Sequence, residues 1–298
     1  MQRLYKDLQE IEHRALSNSF PNSPTLKTSM LTSLQNSLVK QIRKLHSSKE
    51  RHKQQLFLVE GTHLLEEACA ANYPLEAVCS TPEWQDTHAV LWEKACDLCE
   101  RAEIVSEEVL KAIATTVQPD GVVATAKRKE RVGKLPFTGI MLALETVQDP
   151  GNLGTIIRTA AAAGASGLWL SEDSVDLDNP KVLRASAGQW FRLAMAMSPD
   201  LKTTVQQSRE AGMQVVATLP SATLTYWDVD WRKPSLILLG NEGAGLSKEL
   251  TATADLQVKI PLSPGVESLN VAMTAALMLY EAQRQIFKSK EGTVNREQ

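Results

Sequence analysis

Along residues 31–127, short apolar runs of strand length alternate with amphipathic stretches. The runs are FLV at 57–59, AVC at 77–79, EIV at 103–105 and GVVATA at 121–126. Apolar positions at helical spacing between them predict a helix before Phe57, one over EGTHLLEEACAA, one before Arg101 and one from Ser106. A second series opens with GIMLALE (139–145) as a buried strand. It continues through a helix from about Asn152, GLWL (167–170), a helix near Lys181 to Ala187, RLAMAM (192–197) and a helix over Leu201–Ala211. VVAT (215–218), SLILLG (235–240) and LQVKI (256–260) supply further strands. Leu269–Phe287 reads as a long closing helix, with apolar positions at Leu269, Met273, Ala276, Leu277 and Tyr280. Strands alternating with helices predict an α/β protein whose mostly parallel sheet is covered on both faces.

The Ser-, Asn- and Pro-rich stretch Ser17–Ser29 has the composition of a linker, so residues 1–30 are expected to be an extension. The charge run KRKERVGKLP, Lys127–Pro136, marks the boundary between a small α/β domain (31–130) and a larger one (131–288), with a polar tail at 289–298. A net charge of −3 offers no global attraction for polyanions, so contact with nucleic acid requires a local basic patch. Lys40, Arg43, Lys44, Lys49, Arg51 and Lys53 form one, opposed by Glu50 alone. A solvated charged face is the alternative. No signal core or membrane-length apolar run occurs, which predicts a cytoplasmic protein. The cysteines are Cys69, Cys79, Cys96 and Cys99; the last two form a CxxC read as buried thiols on one helix face, with no metal assigned.

Candidate chemistry lies where loops leave the carboxyl ends of parallel strands. In ETVQDPGNLGTIIRTAAAAGA (145–165), Asn152 and Arg158 converge on one anion if Asn152 sits just before the helix; otherwise they are a cap and a surface arginine. In LLGNEGAGLS (238–247), glycines at 240, 243 and 245 surround the single acid Glu242, as a ligand loop or as a tight turn. In VKIPLSPGVESLNVAMTAALMLYE (258–281), Ser268 and Asn270 stand at the mouth of the closing helix, where Ser268 is also a candidate N-cap.

The N-x5-R, NEGAGLS and IPLSPGVESLNVA segments, in this order over about residues 138–287, resemble the three motifs of the SpoU (TrmH) family of SPOUT-class RNA 2′-O-ribose methyltransferases. The resemblance implies a Rossmann-like parallel sheet with a C-terminal trefoil knot, S-adenosylmethionine as cofactor and a homodimer. It implies a catalytic or substrate-positioning set of Asn152, Arg158, Glu242, Ser268 and Asn270, and cofactor loops at Leu219, Gly240, Ile260 and Leu269. Residues 42–68 and QPDGVVATAK (118–127) resemble the family's substrate-binding domain, related to a ribosomal-protein RNA-binding fold. The expected substrate is RNA, ribosomal rather than transfer RNA.

The sulfonium of the cofactor is already activated, so an enzyme of this kind must align the ribose oxygen and assist proton loss, without metal. The resemblance implies that Arg158 activates the hydroxyl. A guanidinium is an awkward base, so Arg158 is assigned to stabilising the developing alkoxide and gripping the adjacent phosphate, with Glu242 orienting it. The alternatives are a noncatalytic RNA-binding factor that keeps the fold for ribosome assembly, and a transfer-RNA ribose methyltransferase.

Overall fold

The computed structural model describes residues 30–129, 131 and 135–294. The expected extension, apart from Met30, and residues 295–298 of the expected tail lie outside the described residues.

The N-terminal domain is a four-stranded sheet in the order β1-β4-β2-β3. Its strands are β1 (Leu56–Glu60), β2 (Leu75–Ser80), β3 (Cys99–Ile104) and β4 (Val122–Lys127). Only β2 and β3 pair in parallel; β4 runs antiparallel to β1 and β2. Alternation along β1 sends Leu56 and Leu58 to one core and Phe57 and Val59 to the other, which is why the run is apolar throughout. Helices α1 (Ser37–Lys44), α2 (Ser48–Gln54), α3 (Thr62–Ala70), α4 (Pro82–Thr87), α5 (Ala89–Leu98) and α6 (Glu107–Ile113) surround it. Because α5 ends at Leu98, Cys96 is helical and Cys99 opens β3; the two do not share a helix face as expected.

The C-terminal domain is a seven-stranded, wholly parallel sheet in the order β7-β6-β5-β10-β8-β11-β9. The chain runs outward through β5 (Ile140–Leu144), β6 (Gly167–Ser171) and β7 (Met195–Ser198), then returns to the other side for β8 (Gln214–Thr218) and β9 (Leu224–Thr225). It next inserts β10 (Ser235–Leu239) between β5 and β8, and adds β11 (Leu256–Lys259) beside β8. Helices α7 (Pro150–Ala162), α8 (Pro180–Ala185), α9 (Leu201–Glu210), α10 (Lys248–Thr251) and α11 (Val271–Val294) complete it. A Cβ at Gly154 of α7 would lie 2.5 Å from Ala185 Cβ and 2.7 Å from the Val182 carbonyl oxygen, so glycine permits the close α7–α8 approach.

Helix α11 continues to Val294, past the expected start of a frayed tail. Its buried stripe is Val271, Ala272, Ala275, Met278, Leu279 and Ala282, whereas Leu269, Met273, Leu277 and Tyr280 are exposed. The apolar positions that spacing picks out therefore lie mostly on a second, uncovered face.

The two domains share one apolar cluster. Phe57 and Tyr73 of the first pack on Trp190 and Phe191 of the second, with ring centroids 4.9–5.9 Å apart. Arg51, 2% exposed, donates from Nη2 (2.8 Å) and Nε (3.1 Å) to Asp176 Oδ2, and from Nη1 to the carbonyls of Leu45 and His46. Arg128 pairs with Asp176 and Asp178, Glu60 with Arg184, and Glu67 with Arg192. Sequence position groups Arg51 with five cations expected to meet RNA phosphates. Its burial in an interdomain ion pair removes it from that set, because its donors are already committed.

Candidate active site

The three loops singled out by sequence meet at the carboxyl edge of β5, β10, β8 and β11. The second and third of them, with the segment after β8, border a cavity of about 420 Å³ whose lining includes Leu219, Gly240, Glu242, Ile260, Ser268 and Leu269. All four expected cofactor-loop residues thus face one space. Gly240 has to be glycine because the 240–245 turn doubles back on it: a Cβ there would stand 2.2 Å from Gly245 carbonyl carbon.

Glu242 is the hub of the site. Its Oε1 accepts from Asn152 Nδ2 (3.1 Å) and Asp149 N (3.2 Å), and its Oε2 from Gln148 N (3.3 Å) and Asn241 Nδ2 (3.5 Å). Partial burial pushes the carboxyl up, but hydrogen bonds from Asn152 and the neighbouring backbone outweigh it and hold Glu242 below the usual glutamate range. An ionised carboxylate with this many donors is an anchor for the 146–152 loop rather than a proton acceptor poised for use. Asn152 Oδ1 accepts from Asn270 Nδ2 at 2.9 Å, so residues from all three loops form one chain of hydrogen bonds, Glu242 to Asn152 to Asn270.

The helix ends differ from expectation in two ways. Asp149 is the N-cap of α7, accepting from Asn152 N at 2.8 Å, with Pro150 following. Asn152 and Arg158 therefore both lie within the helix, about 120° apart around its axis. They do not converge within the chain. Arg158 is exposed, and among the described residues it has no hydrogen-bonding or ion-pair partner; Glu242 orients Asn152 instead of it. At α11 the capping residue is Asn270, whose Oδ1 accepts from Ala272 N (2.9 Å) and Met273 N (3.4 Å). Ser268 is left exposed on the cavity wall.

Sequence reasoning missed the residues that fix these loops. Asn241 donates to Thr146 O (2.8 Å) and accepts from Gly243 N and Ala244 N, an Asx turn whose only signal is Asn before a glycine-rich stretch. Glu145 accepts from Ser247 N at 2.7 Å. Thr146 adopts φ 54° and is held there by Ser171 Oγ and Asp173 Oδ2.

Residues 139–280 match the SpoU rRNA Methylase family, and residues 36–124 match an MRM3-like substrate binding domain. An uncharacterized tRNA/rRNA methyltransferase of Synechocystis is 45% identical over 86% of this chain and 93% of its own length. The chain belongs to the SpoU methylase family. A second SpoU-class relative, the Bacillus subtilis 23S rRNA (guanosine(2553)-2′-O)-methyltransferase RlmP, is 33% identical over 84% of this chain and 97% of its own. An AdoMet-bound rRNA methyltransferase from Sinorhizobium meliloti is 33% identical and superposes with a TM-score of 0.78 over 87% of this chain and 98% of its own. The likeness to these proteins spans both domains.

Proposed function

We propose that this protein transfers a methyl group from S-adenosylmethionine to a ribose 2′-hydroxyl of ribosomal RNA. The observation that carries the reading is the Glu242–Asn152–Asn270 chain beside the cavity that gathers Leu219, Gly240, Ile260 and Leu269. The cavity walls suit that cofactor: apolar side chains and glycine-loop backbone are offered to the adenine, and Glu242 and Glu267 give a cationic sulfonium an acidic border. When bound, the cofactor supplies an electrophilic methyl.

The protein's part is to hold the ribose and manage its proton. Asn152 and Asn270 fix polar atoms at the loop junction, and Ser268 presents a hydroxyl to the same space. Arg158 is assigned to the developing alkoxide and the adjacent phosphate. Its distance from Asn152 is resolved by a homodimer in which α11 meets a second copy. Support comes from the uncovered stripe Met273, Leu277, Tyr280 and Phe287. The family's trefoil knot, which fits the insertion of β10 between β5 and β8, enters as part of the same proposal. Among the described residues no helix is long and apolar enough to cross a membrane. A ribosomal RNA substrate supports a cytoplasmic location.

Two experiments test this reading. Calorimetry with a chelator present is expected to detect S-adenosylmethionine binding, and mapping of ribose methylation is expected to find one site in unmethylated large-subunit ribosomal RNA after incubation with enzyme and cofactor. Metal-dependent cofactor binding, or no methylated ribose, overturns it. Lys40, Arg43, Lys44, Lys49 and Lys53 are exposed and remain candidates for binding phosphate. Neutralising them is expected to lower the log–log salt slope of RNA binding by roughly 0.7–0.9 for each phosphate no longer neutralised, with cofactor affinity unchanged. An unchanged slope makes the stretch a solvated face.

A further inference from the structure

Away from the catalytic cavity, a buried carboxylate is devoted to bracing a loop whose tip stands in solvent. Glu60, at the end of β1, is 4% exposed. Its Oε2 accepts from Thr115 N (2.9 Å), Thr115 Oγ1 (2.6 Å) and Arg184 Nη1 (3.0 Å), and its Oε1 accepts from Thr116 N (2.9 Å) and the Thr116 hydroxyl. Burial pushes this carboxyl up; the bonds from Thr115 and Thr116 and the charge of Arg184 outweigh it, so it stays ionised below the usual glutamate range. At the far end of the loop, Asp120 Oδ2 accepts from Thr62 N at 2.8 Å. Both ends are thereby tied to the β1–α3 corner. Between them Val117 is 94% exposed and Gln118 is exposed.

A lone exposed valine is ordinary by itself. Here its setting gives it meaning, because a loop ordered before binding has little freedom left to lose when a ligand arrives. Two cavities flank it. One of about 280 Å³ lies toward the catalytic domain, lined by Gly61, His63, Thr116, Gln118 and Arg184; the other, of about 520 Å³, includes Trp84, His88, Lys111 and Gln118. The floor of the second is rigid: Trp84 and His88 stack at 4.8 Å, and a Cβ on Gly121 would come within 2.6 Å of Trp84 Cβ. Helix α8 connects the loop with the catalytic entrance. Arg184 touches Glu60 and Thr115 at one end; Lys181, one turn earlier on the same face, lies 3.6 Å from Asp149, the cap of the helix that carries Asn152. The six residues of α8 span about 9 Å.

We propose that Thr115–Asp120 is a recognition loop for an unpaired nucleotide of the substrate RNA. Val117 packs on the base, Gln118 hydrogen-bonds its edge, and the exposed Lys181 neutralises a backbone phosphate between that nucleotide and the methylated ribose, while Arg184 braces the loop through Glu60 and Thr115. Unpaired bases in RNA are read in this way, by apolar or stacking contact together with edge hydrogen bonds. The inference rests on the RNA methyltransferase reading and adds a second point of attachment to it.

The test uses the full-length enzyme, radiolabelled S-adenosylmethionine and in vitro transcribed large-subunit ribosomal RNA. Val117→Asp and Gln118→Ala are each expected to raise KM for RNA about tenfold, with kcat within about twofold and cofactor affinity unchanged. Val90→Asp, at another exposed valine of the same domain, is expected to leave KM alone. If the parent methylates the RNA and both loop variants keep its KM, the loop assignment is wrong and the activity stands. Equal KM increases in Val90→Asp also overturn it, since the effect is then one of added charge. A parent that transfers no methyl to RNA overturns the loop assignment together with the activity.

Discussion

Arg158→Ala is expected to lower methyl transfer by about a hundred- to a thousandfold while leaving S-adenosylmethionine affinity within a few-fold. Arg158 is exposed and does not line the cavity that gathers the cofactor loops, so its removal leaves those walls intact. Arg158→Lys is expected to fail as well, because a flexible point charge does not replace a planar fork that grips phosphate with two parallel hydrogen bonds. A lysine variant with near-parental turnover would remove Arg158 from the chemistry. The same residue tests the proposed homodimer. Within one protomer Arg158 and Asn152 point about 120° apart, so a shared site takes Asn152 from one copy and Arg158 from the other. Mixing inactive Arg158→Ala with inactive Asn152→Ala protein then recreates one intact site in each mixed dimer, about a quarter of parental activity after random reassortment. If both residues act within one chain, no mixture recovers activity.

Much of the fold was legible because its strands are buried on both faces. FLV, GIMLAL and SLILL are continuous apolar runs whose meaning does not depend on a partner's identity. The short β9 and the 3₁₀ turn over Tyr226–Asp228 were not legible, since two residues, Leu224 and Thr225, carry no periodicity. At α11 periodicity could not say which stripe the fold covers. Both stripes of the helix are apolar, and the one chosen by spacing is the one left uncovered, while Leu269 extends the pattern past the true cap at Asn270.

The candidate site was legible in its residue types and illegible in its wiring. The Asn152–Glu242 and Asn152–Asn270 bonds join positions 90 and 118 residues apart, and no local pattern encodes such pairings. Family resemblance groups these residues without saying which bonds which, and so Glu242 was expected beside Arg158. Geometry assigns that carboxylate to Asn152 and to the backbone of residues 148 and 149. Arg51 is the same lesson in the other domain. Its neighbours in sequence are cations, and its partner Asp176 is 125 residues away.

Arg51→Ala is accordingly expected to act on stability, with a loss of about 3–5 kcal/mol read from the denaturant midpoint, a far larger change than neutralising an exposed lysine of the same stretch. The truncation removes the guanidinium donor from the carbonyls of Leu45 and His46 and leaves the half-buried Asp176 with the longer 3.4 Å ion pair to Arg128. Acid is expected to shrink the difference between parent and variant. Burial raises the Asp176 carboxyl, but the hydrogen bond and charge of Arg51 outweigh it and hold the group below its ordinary value of 3.8. The stabilisation it provides is therefore complete above that value and is lost as pH falls through the lowered one. The double variant Arg51→Ala, Asp176→Ala is expected to be more stable than Arg51→Ala alone, because the carboxylate that lost its main partner is gone. If instead the double variant loses the sum of the two single losses, Arg51 acts through packing and the ion pair does not hold the domains together.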